Sequence, residues 1–303
     1  MNKEKWTIEN IGDQSGKTVI VTGSSSGIGL EAAKVLANKG AEVIIAVRNA
    51  TKGKNAEEKI KSQNPNANVK VMIVDLANLK SVREFAEKFN AGYDKLNLLI
   101  NNAGVMIPPY SKTTDGFELQ FGTNHLGHFA LTALLFDKLK ATPNSRIVNV
   151  ASMAHKYGNI NFDDLNWEKR NYKAWSAYGD SKIANLYFTY YLADEIAKSG
   201  IDIKVTASHP GWTATDLQRH SGMFEFLNKF FAMPAEQGAL PTLRAAIDTE
   251  AQSGDYFGPD GFQEWRGFPV KVESNKLSHN MEIAGKLWEV SEDLTGIKFK
   301  INS

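Results

Sequence analysis

Hydrophobic runs and polar stretches alternate regularly along the 303 residues. Val19-Ile-Val21 is an apolar run closed by Thr22-Gly-Ser-Ser-Ser-Gly-Ile-Gly29, and behind it Ala32, Val35 and Leu36 share one side of a segment whose Glu31, Lys34 and Lys39 lie elsewhere. Short apolar runs bounded by turn residues predict buried strands, and apolar positions three and four apart predict a helix with one buried face. The pattern therefore reads as strand, glycine turn and helix, with Gly40 as the stop. It recurs. Strands are predicted at 43–47, 69–74, 96–100, 146–150 and 202–206, with a short last one at 255–257. Helices are predicted between them at 52–61, 79–89, about 117–139, 174–198 and 236–247. Strands that are apolar at nearly every residue need cover on both faces, so a parallel sheet with helices on both sides is expected. No repeat, low-complexity tract or linker-like shift interrupts the chain. The expectation is a single α/β domain over residues 1–303, a doubly wound parallel sheet of about seven strands.

Composition narrows the class. Apolar residues make up 42% and charged residues 23%, the profile of a soluble globular chain able to bury a sizeable core. Thirty-five basic against thirty-four acidic residues leave a formal charge of +1, too weak a field to recruit nucleic acid or an anionic membrane. The absence of cysteine removes disulfides, thiolate metal sites and cysteine nucleophiles, and it fits a reducing compartment, with the cytoplasm as the default expectation. Asn2, Lys3, Glu4, Lys5, Glu9 and Asp13 break up the start of the chain, so no signal peptide or membrane anchor is expected there.

Ligands of doubly wound sheets bind beyond the carboxyl ends of the strands, where strand order reverses. The first six predicted strands each end there in a polar or glycine signal: Thr22-Gly23, Arg48, Asp75, Asn101-Asn-Ala-Gly104, Ser152 and Pro210-Gly211. The glycine turn lets the backbone approach a ligand closely, and the helix behind it offers unpaired N–H groups and a positive dipole end to an anion such as a dinucleotide pyrophosphate. Its spacing is Gly-x-x-x-Gly-x-Gly, so a plain strand-to-helix turn is the competing reading. Tyr178 and Lys182 stand four apart on one predicted helical face. None of the other eight tyrosines has Lys or Arg four positions later. An ammonium beside a phenol is expected to lower the phenol's pKa by roughly 1–3 units, which would make a usable acid and base. His125 and His128 are three apart, but no carboxylate accompanies them as in a zinc-binding His-Glu-x-x-His helix, so they are expected in the core and no metal is expected.

Taken together, Thr22-Gly-x-x-x-Gly-Ile-Gly29, Asn101-Asn-Ala-Gly104, Asn124, Ser152, Tyr178-x-x-x-Lys182 and Pro210-Gly211 resemble the short-chain dehydrogenase/reductase family, from Gly16 to about Phe268. The stretch 117–129 and His209-Pro-Gly-Trp212 resemble more narrowly its retinol-dehydrogenase-like and WW-domain-oxidoreductase-like branch. The resemblance implies a Rossmann-type sheet and hydride exchange between a nicotinamide cofactor and a small-molecule carbonyl or alcohol. It makes Tyr178 the acid/base, Ser152 the hydrogen-bond partner of the substrate oxygen, Lys182 the group that lowers the tyrosine pKa and binds the nicotinamide ribose, and Asn124 the holder of a water that links Lys182 to solvent. It also implies a cofactor-binding set: Gly23, Ser25, Ser26, Gly27, Ile28 and Gly29 at the glycine turn, Arg48 and Asn49 after strand two, and Asp75 and Leu76 after strand three. Asn102, Ala103 and Gly104 would line the adenosine side, and Pro210, Gly211 and Thr213 would approach the nicotinamide carboxamide. Residues 161–175 form a longer insert between Ser152 and Tyr178 than many members carry. Membrane-bound retinol dehydrogenases often carry an N-terminal anchor, which this polar start does not resemble, so retinol itself is not favoured.

Strand two ends Ala46-Val47-Arg48, without the acidic residue that bonds a ribose 2′-hydroxyl and repels a 2′-phosphate. A guanidinium can pair with that phosphate, so NADP(H) is the preferred cofactor. Ser26 stands where many NADP-dependent relatives carry a second basic residue, which leaves NAD(H) open. Met223, Phe224, Leu227, Phe230 and Phe231 recur at helical spacing, so a lid at about 213–235 over an apolar substrate is expected, with packing against the core or a second subunit as the alternative. Self-association is left open. Two other classes compete: a non-catalytic dinucleotide-binding sensor, and an epimerase or dehydratase that uses the cofactor transiently.

Overall fold

The computed structural model describes residues 5–213 and 232–301. Strands β1 (Thr18–Thr22), β2 (Glu42–Val47), β3 (Val69–Ile73), β4 (Leu98–Asn101), β5 (Ser145–Val150), β6 (Ile203–Ser208), β7 (Tyr256–Pro259) and β8 (Pro269–Lys271) form one sheet in the order β3-β2-β1-β4-β5-β6-β7-β8. All pairings from β3 to β7 are parallel, and β8 closes the edge antiparallel to β7. The eighth strand has no counterpart in the sequence reading. It is three residues long and opens on a proline, which a sheet tolerates at its edge, so it leaves no hydrophobic run.

Helices cover both faces, and the strands show why. Val19 and Val21 enter one core while Ile20 between them enters the other, and β2 divides likewise, with Val43 and Ile45 against Ile44 and Ala46. Successive side chains on a strand point to opposite faces, so continuous apolar runs feed two cores at once. On one side stand α1 (Gly27–Asn38), α2 (Ala50–Gln63) and α7 (Ala235–Ile247), which contribute Leu36, Ile60 and Leu243. On the other stand α3 (Leu79–Gly92), α5 (Gly127–Lys140), α6 (Ala174–Ser199) and α8 (Met281–Thr295), which contribute Phe85, Phe129, Leu192 and Trp288.

The helix expected over 117–139 runs without a break from Leu119 to Lys140, but its pitch is not uniform. It begins as the single turn α4 (Leu119–Phe121), widens to a π-helical stretch at Gly122–Leu126 and resumes as α5. Glu118 caps the first turn by accepting the Phe121 N–H at 2.7 Å. Two glycines bring the segment close to its neighbours: a side chain at Gly122 would collide with Thr113, and one at Gly127 would stand 2.5 Å from the carbonyl oxygen of Leu76. Such wide turns recur at functional sites, and this one carries Asn124.

The insert at 161–175 is tied to α6. Asp164 accepts the Glu168 and Lys169 N–H groups at 2.7 and 3.1 Å, and Arg170 lies 3.3 Å from Asp164 and 3.5 Å from Asp180 while stacking on Trp167. Burial raises the Asp180 carboxyl to about 6, with the Asn159 N–H and Arg170 pulling the other way. Helix α8, also absent from the sequence reading, packs along α6 through Trp288, whose ring lies 5.2 Å from that of Tyr191.

Gly158, after the 3₁₀ turn that follows β5, lies against α6 so closely that a Cβ there would run into the main chain of Gly179. Gly158→Ala is therefore expected to destabilise the fold by about 1–3 kcal/mol. Gly92→Ala, where nothing lies within 4 Å, provides the control. Urea midpoints decide the matter, and equal midpoints would mean that the contact yields without cost.

Candidate active site

Tyr178 and Lys182 reach the carboxyl end of β5 from the first half of α6, both almost wholly buried. The Lys182 ammonium donates to the carbonyl oxygen of Val150 at 3.1 Å and lies 5.6 Å from the centre of the Tyr178 ring. Burial pushes the Tyr178 phenol up to about 12, while a hydrogen bond with the Ser152 side chain pulls it back. The Lys182 ammonium is lowered to about 8 by burial. The expectation that the lysine brings the phenol below its ordinary value is thus overturned for the protein alone. Each charge is penalised by leaving water, and the ammonium spends a donor on a carbonyl instead of the phenol. Ser152 opens the 3₁₀ helix Met153–Tyr157, its hydroxyl accepting the Ala154 N–H at 3.2 Å.

Asn124 is held on every side. Its amide oxygen accepts the Val105 N–H at 2.8 Å, and its amide nitrogen donates to Val105 O at 3.0 Å and to Ser181 Oγ at 2.9 Å. Its carbonyl oxygen accepts from His128 Nδ1 at 2.9 Å, so that nitrogen carries the proton and Nε2 accepts from the Thr22 hydroxyl at 2.9 Å. Thr22 Oγ1 in turn accepts the N–H groups of Asn102 and Ala103 at 2.9 and 3.0 Å. Gly104 lies over the same place: a Cβ there would be 3.0 Å from Asn124 Oδ1 and 3.6 Å from Lys182 Nζ. The ends of β1 and β4, the π-helical stretch and α6 thereby meet at one point. His128 and His125 are core residues, lowered by burial to about 4 and about 3, and His125 Nε2 bonds Ser291 Oγ of α8 at 2.8 Å.

The glycine turn does two jobs. Gly23 and Gly29 make room for the protein itself: a Cβ at Gly23 would lie 2.7 Å from Ala103 Cα, and one at Gly29 would collide with the Asn102 amide. Gly27, at φ 56°, carries the left-handed turn into α1. Ser26, the N-cap of α1, makes no side-chain capping bond, whereas Asn49, Asn78 and Asn280 cap α2, α3 and α8. The first-turn N–H groups of α1 thus have no side-chain cap from Ser26, beside the partly exposed Ser25. Ile28 faces the core. Asn49, expected among the cofactor residues, uses its side chain on the Lys52 N–H at 2.9 Å as the cap of α2, while Arg48 before it is exposed.

Around the rest of the rim, Asp75 Oδ1 accepts the Ala77 N–H at 3.0 Å, and Leu76 is buried against Gly127. The Asn102 amide donates to Thr22 O at 2.8 Å. Pro210 O accepts from the Thr213 hydroxyl at 2.8 Å, and Gly211 turns at φ 67°. Thr213 pairs with Met233 in an isolated parallel bridge; the expected lid between them, with Met223, Phe224, Leu227, Phe230 and Phe231, lies outside the described residues. Sequence reasoning missed Ser181, Asn185 and the connecting roles of Thr22 and His128. Only Ser181 had a local signal, a hydroxyl one residue before Lys182. Among the described residues no cluster of His, Asp and Glu could hold a metal, and no helix is long and apolar enough to cross a membrane.

The family profile described as short chain dehydrogenase matches residues 17–164. The chain is 44% identical to retinol dehydrogenase 12 of Mus musculus over 290 residues, covering 94% of this chain and 88% of that protein. It is 44% identical to retinol dehydrogenase 11 of Homo sapiens over 287 residues, covering 93% and 86%. A crystal structure of an uncharacterized protein from Mycobacterium Paratuberculosis shares the fold with a TM-score of 0.82 at 38% identity, over 97% of this chain and 99% of that one. These matches and this sheet define an NAD(P)-dependent dehydrogenase acting on an alcohol or carbonyl group. The chain belongs to the short-chain dehydrogenase family, in its retinol-dehydrogenase-like branch.

Lys182 links stability to pH with a sign that can be worked out. Its pKa is about 8 when folded and returns to the ordinary 10.5 on unfolding. Between those values the unfolded chain binds a proton that the folded chain has released, so stability rises with pH. From pH 8 to 10.5 the unmutated protein should gain up to about 3 kcal/mol relative to Lys182→Met. Urea unfolding of both proteins across that range is the measurement, and a constant difference would show that the lysine titrates normally.

Proposed function

We propose that the protein transfers a hydride between NADP(H) and an apolar carbonyl compound or alcohol, with Tyr178 as the acid/base. The observation that carries this reading is a buried phenol hydrogen-bonded to Ser152, with the Lys182 ammonium on the same helical face at the end of β5. A dinucleotide fits the residues present: α1 leaves its first-turn donors without a side-chain cap, and Gly27 provides the tight turn before them. When bound, the nicotinamide would supply or accept the hydride.

The protein's own groups perform the rest. The Ser152 hydroxyl would hold the substrate oxygen in hydrogen-bond reach of the Tyr178 phenol. With its pKa raised to about 12, Tyr178 keeps its proton at neutral pH and is a donor toward a developing alkoxide. Lys182 is the nearby positive charge that would steady the phenolate left behind, and its fixed bond to Val150 O holds the ammonium in place. Asn124, locked to Val105 and Ser181, would support the relay that returns the proton.

Two features support an apolar substrate. The Trp175 ring lies 6.1 Å from that of Tyr178, and Tyr157, 70% exposed, lies 6.4 Å from Trp175, which lines the approach with aromatic surface. The relatives also take their name from retinol, a largely apolar alcohol. For the cofactor, Arg48 stands exposed after β2, where a 2′-phosphate would find a cation and no competing carboxylate.

Tyr178→Phe should lower turnover by at least ~10²-fold and change dinucleotide affinity by less than about threefold, measured with NADPH on a panel of aldehydes, ketones and alcohols. Retained turnover would remove Tyr178 from the acid/base role. On the same panel, charged or phosphorylated carbonyls should be poorer substrates than apolar ones of similar size. Arg48→Asp should erase or reverse the preference for NADPH over NADH in kcat/KM. An unmutated enzyme that already favours NADH would contradict the cofactor choice.

A further inference from the structure

His209 follows β6 directly and is 1% exposed, yet none of the roles above uses it. Its main-chain N–H donates to Phe257 O of β7 at 2.9 Å. Its ring Nδ1 accepts the N–H of Gly211 at 3.3 Å across the Pro210 turn, so the proton sits on Nε2, which donates to Glu264 Oε2 at 2.8 Å. Burial holds the imidazole below its ordinary pKa despite that carboxylate, so the ring is neutral and the tautomer single. Space is reserved for this arrangement, because a Cβ at Gly258 would run into His209 Nε2.

Glu264 comes from the loop between β7 and β8, and its backbone is unusual. Gln263 and Glu264 have φ of 50° and 60°, left-handed values that disfavour any side chain larger than glycine and persist where the surroundings impose them. The same loop grips the Pro210 turn a second time. Trp212 N–H donates to Trp265 O at 2.7 Å, and a Cβ on Gly211 would lie 2.5 Å from that oxygen and 2.9 Å from Glu264 O. Glu264 Oε1 is 3.6 Å from the Lys156 ammonium, on the 3₁₀ helix that Ser152 opens. A single carboxylate thus joins the segment that carries Ser152 to the turn that carries Pro210 and Gly211.

We propose that Glu264 is a positioning residue. Through His209 it holds the Pro210-Gly211-Trp212 turn in the shape that receives the nicotinamide end of the dinucleotide, and through Lys156 it keeps that turn in register with Ser152. This rests on the reading above that places the nicotinamide at this turn. The carboxylate's part is to hold the Nε2 proton, which leaves Nδ1 free to accept from Gly211; without it the ring can take the other tautomer and lose that bond.

The experiment compares NADPH with adenosine 2′,5′-bisphosphate, which carries the adenosine half and no nicotinamide, by calorimetry on the unmutated protein, Glu264→Ala and Glu264→Gln. In Glu264→Ala, NADPH affinity should fall about tenfold while the bisphosphate binds within about twofold of normal. Glu264→Gln, whose amide oxygen can still accept from Nε2, should recover most of the loss. Unchanged NADPH affinity in Glu264→Ala would overturn the proposal, as would parallel losses for both ligands accompanied by a lower Tm. Should the unmutated protein bind neither ligand, the functional reading itself falls, and the Glu264 assignment falls with it.

Discussion

Burying a lysine and a tyrosine in the middle of an α/β sandwich calls for hydrogen-bond partners among the polar groups around them. These groups are almost wholly buried, and an unpaired polar atom there costs more than a satisfied one contributes. A nearly closed chain of bonds results. Thr132 Oγ1 donates to His128 O, the Asn101 amide donates to Thr132 Oγ1 and Asn149 Oδ1, the Asn149 amide donates to Thr189 Oγ1, and Thr189 donates to Asn185 O. The Asn185 amide then meets Val150 O at 3.3 Å, the same oxygen that takes the Lys182 ammonium. From α5 through β4 and β5 to α6, the proposed catalytic lysine is the last member of a network that starts behind Asn124. Such networks gain as their members are satisfied and lose sharply when one is removed.

The same economy governs the glycine turn. Its residues suggest a cradle shaped for a ligand, but Gly23 and Gly29 are small because the loop after β4 occupies the space where their side chains would go. Asn102 and Ala103 are drawn in by the Thr22 hydroxyl and seated on those glycines. The part of the turn left to the proposed cofactor reduces to Gly27, the uncapped start of α1 and the serines beside it. Close approach of β1 and β4 and exposure of the helix end are two consequences of one motif.

Features outside the repeating strand–helix pattern shape the rim. The insert after Ser152 is clamped to α6 by Arg170 between Asp164 and Asp180, and Trp175 follows directly at the start of that helix beside Tyr178. The loop carrying Glu264 reaches back from β7 to His209. Opposite the sheet, α8 and the segment after it wrap α6 with Trp288 and Phe299, their rings 4.4 Å apart. The fold thus places loop-borne groups around a hydrogen-bonded polar interior, the arrangement in which loops on a rigid scaffold carry the contacts at a site.

By itself the sequence determined the parallel strands of the sheet, their succession along the chain, the Tyr178–Lys182 face and the family, because each is written in local spacing: apolar runs in strands, period 3.6 in helices, and glycines at turns. It did not determine the electrostatics of that face. Four-residue spacing brings lysine and tyrosine together, but the direction of their pKa shifts depends on how deeply the surrounding elements bury them, and burial is the leading cause of both shifts. Nor could it show that Asn49 is a helix cap, that the helix before Gly127 widens into a π turn, or that Glu264 meets His209 across 55 positions of chain. Those pairings are made by packing between distant segments, and only the tertiary structure, which decides what lies next to what, contains them.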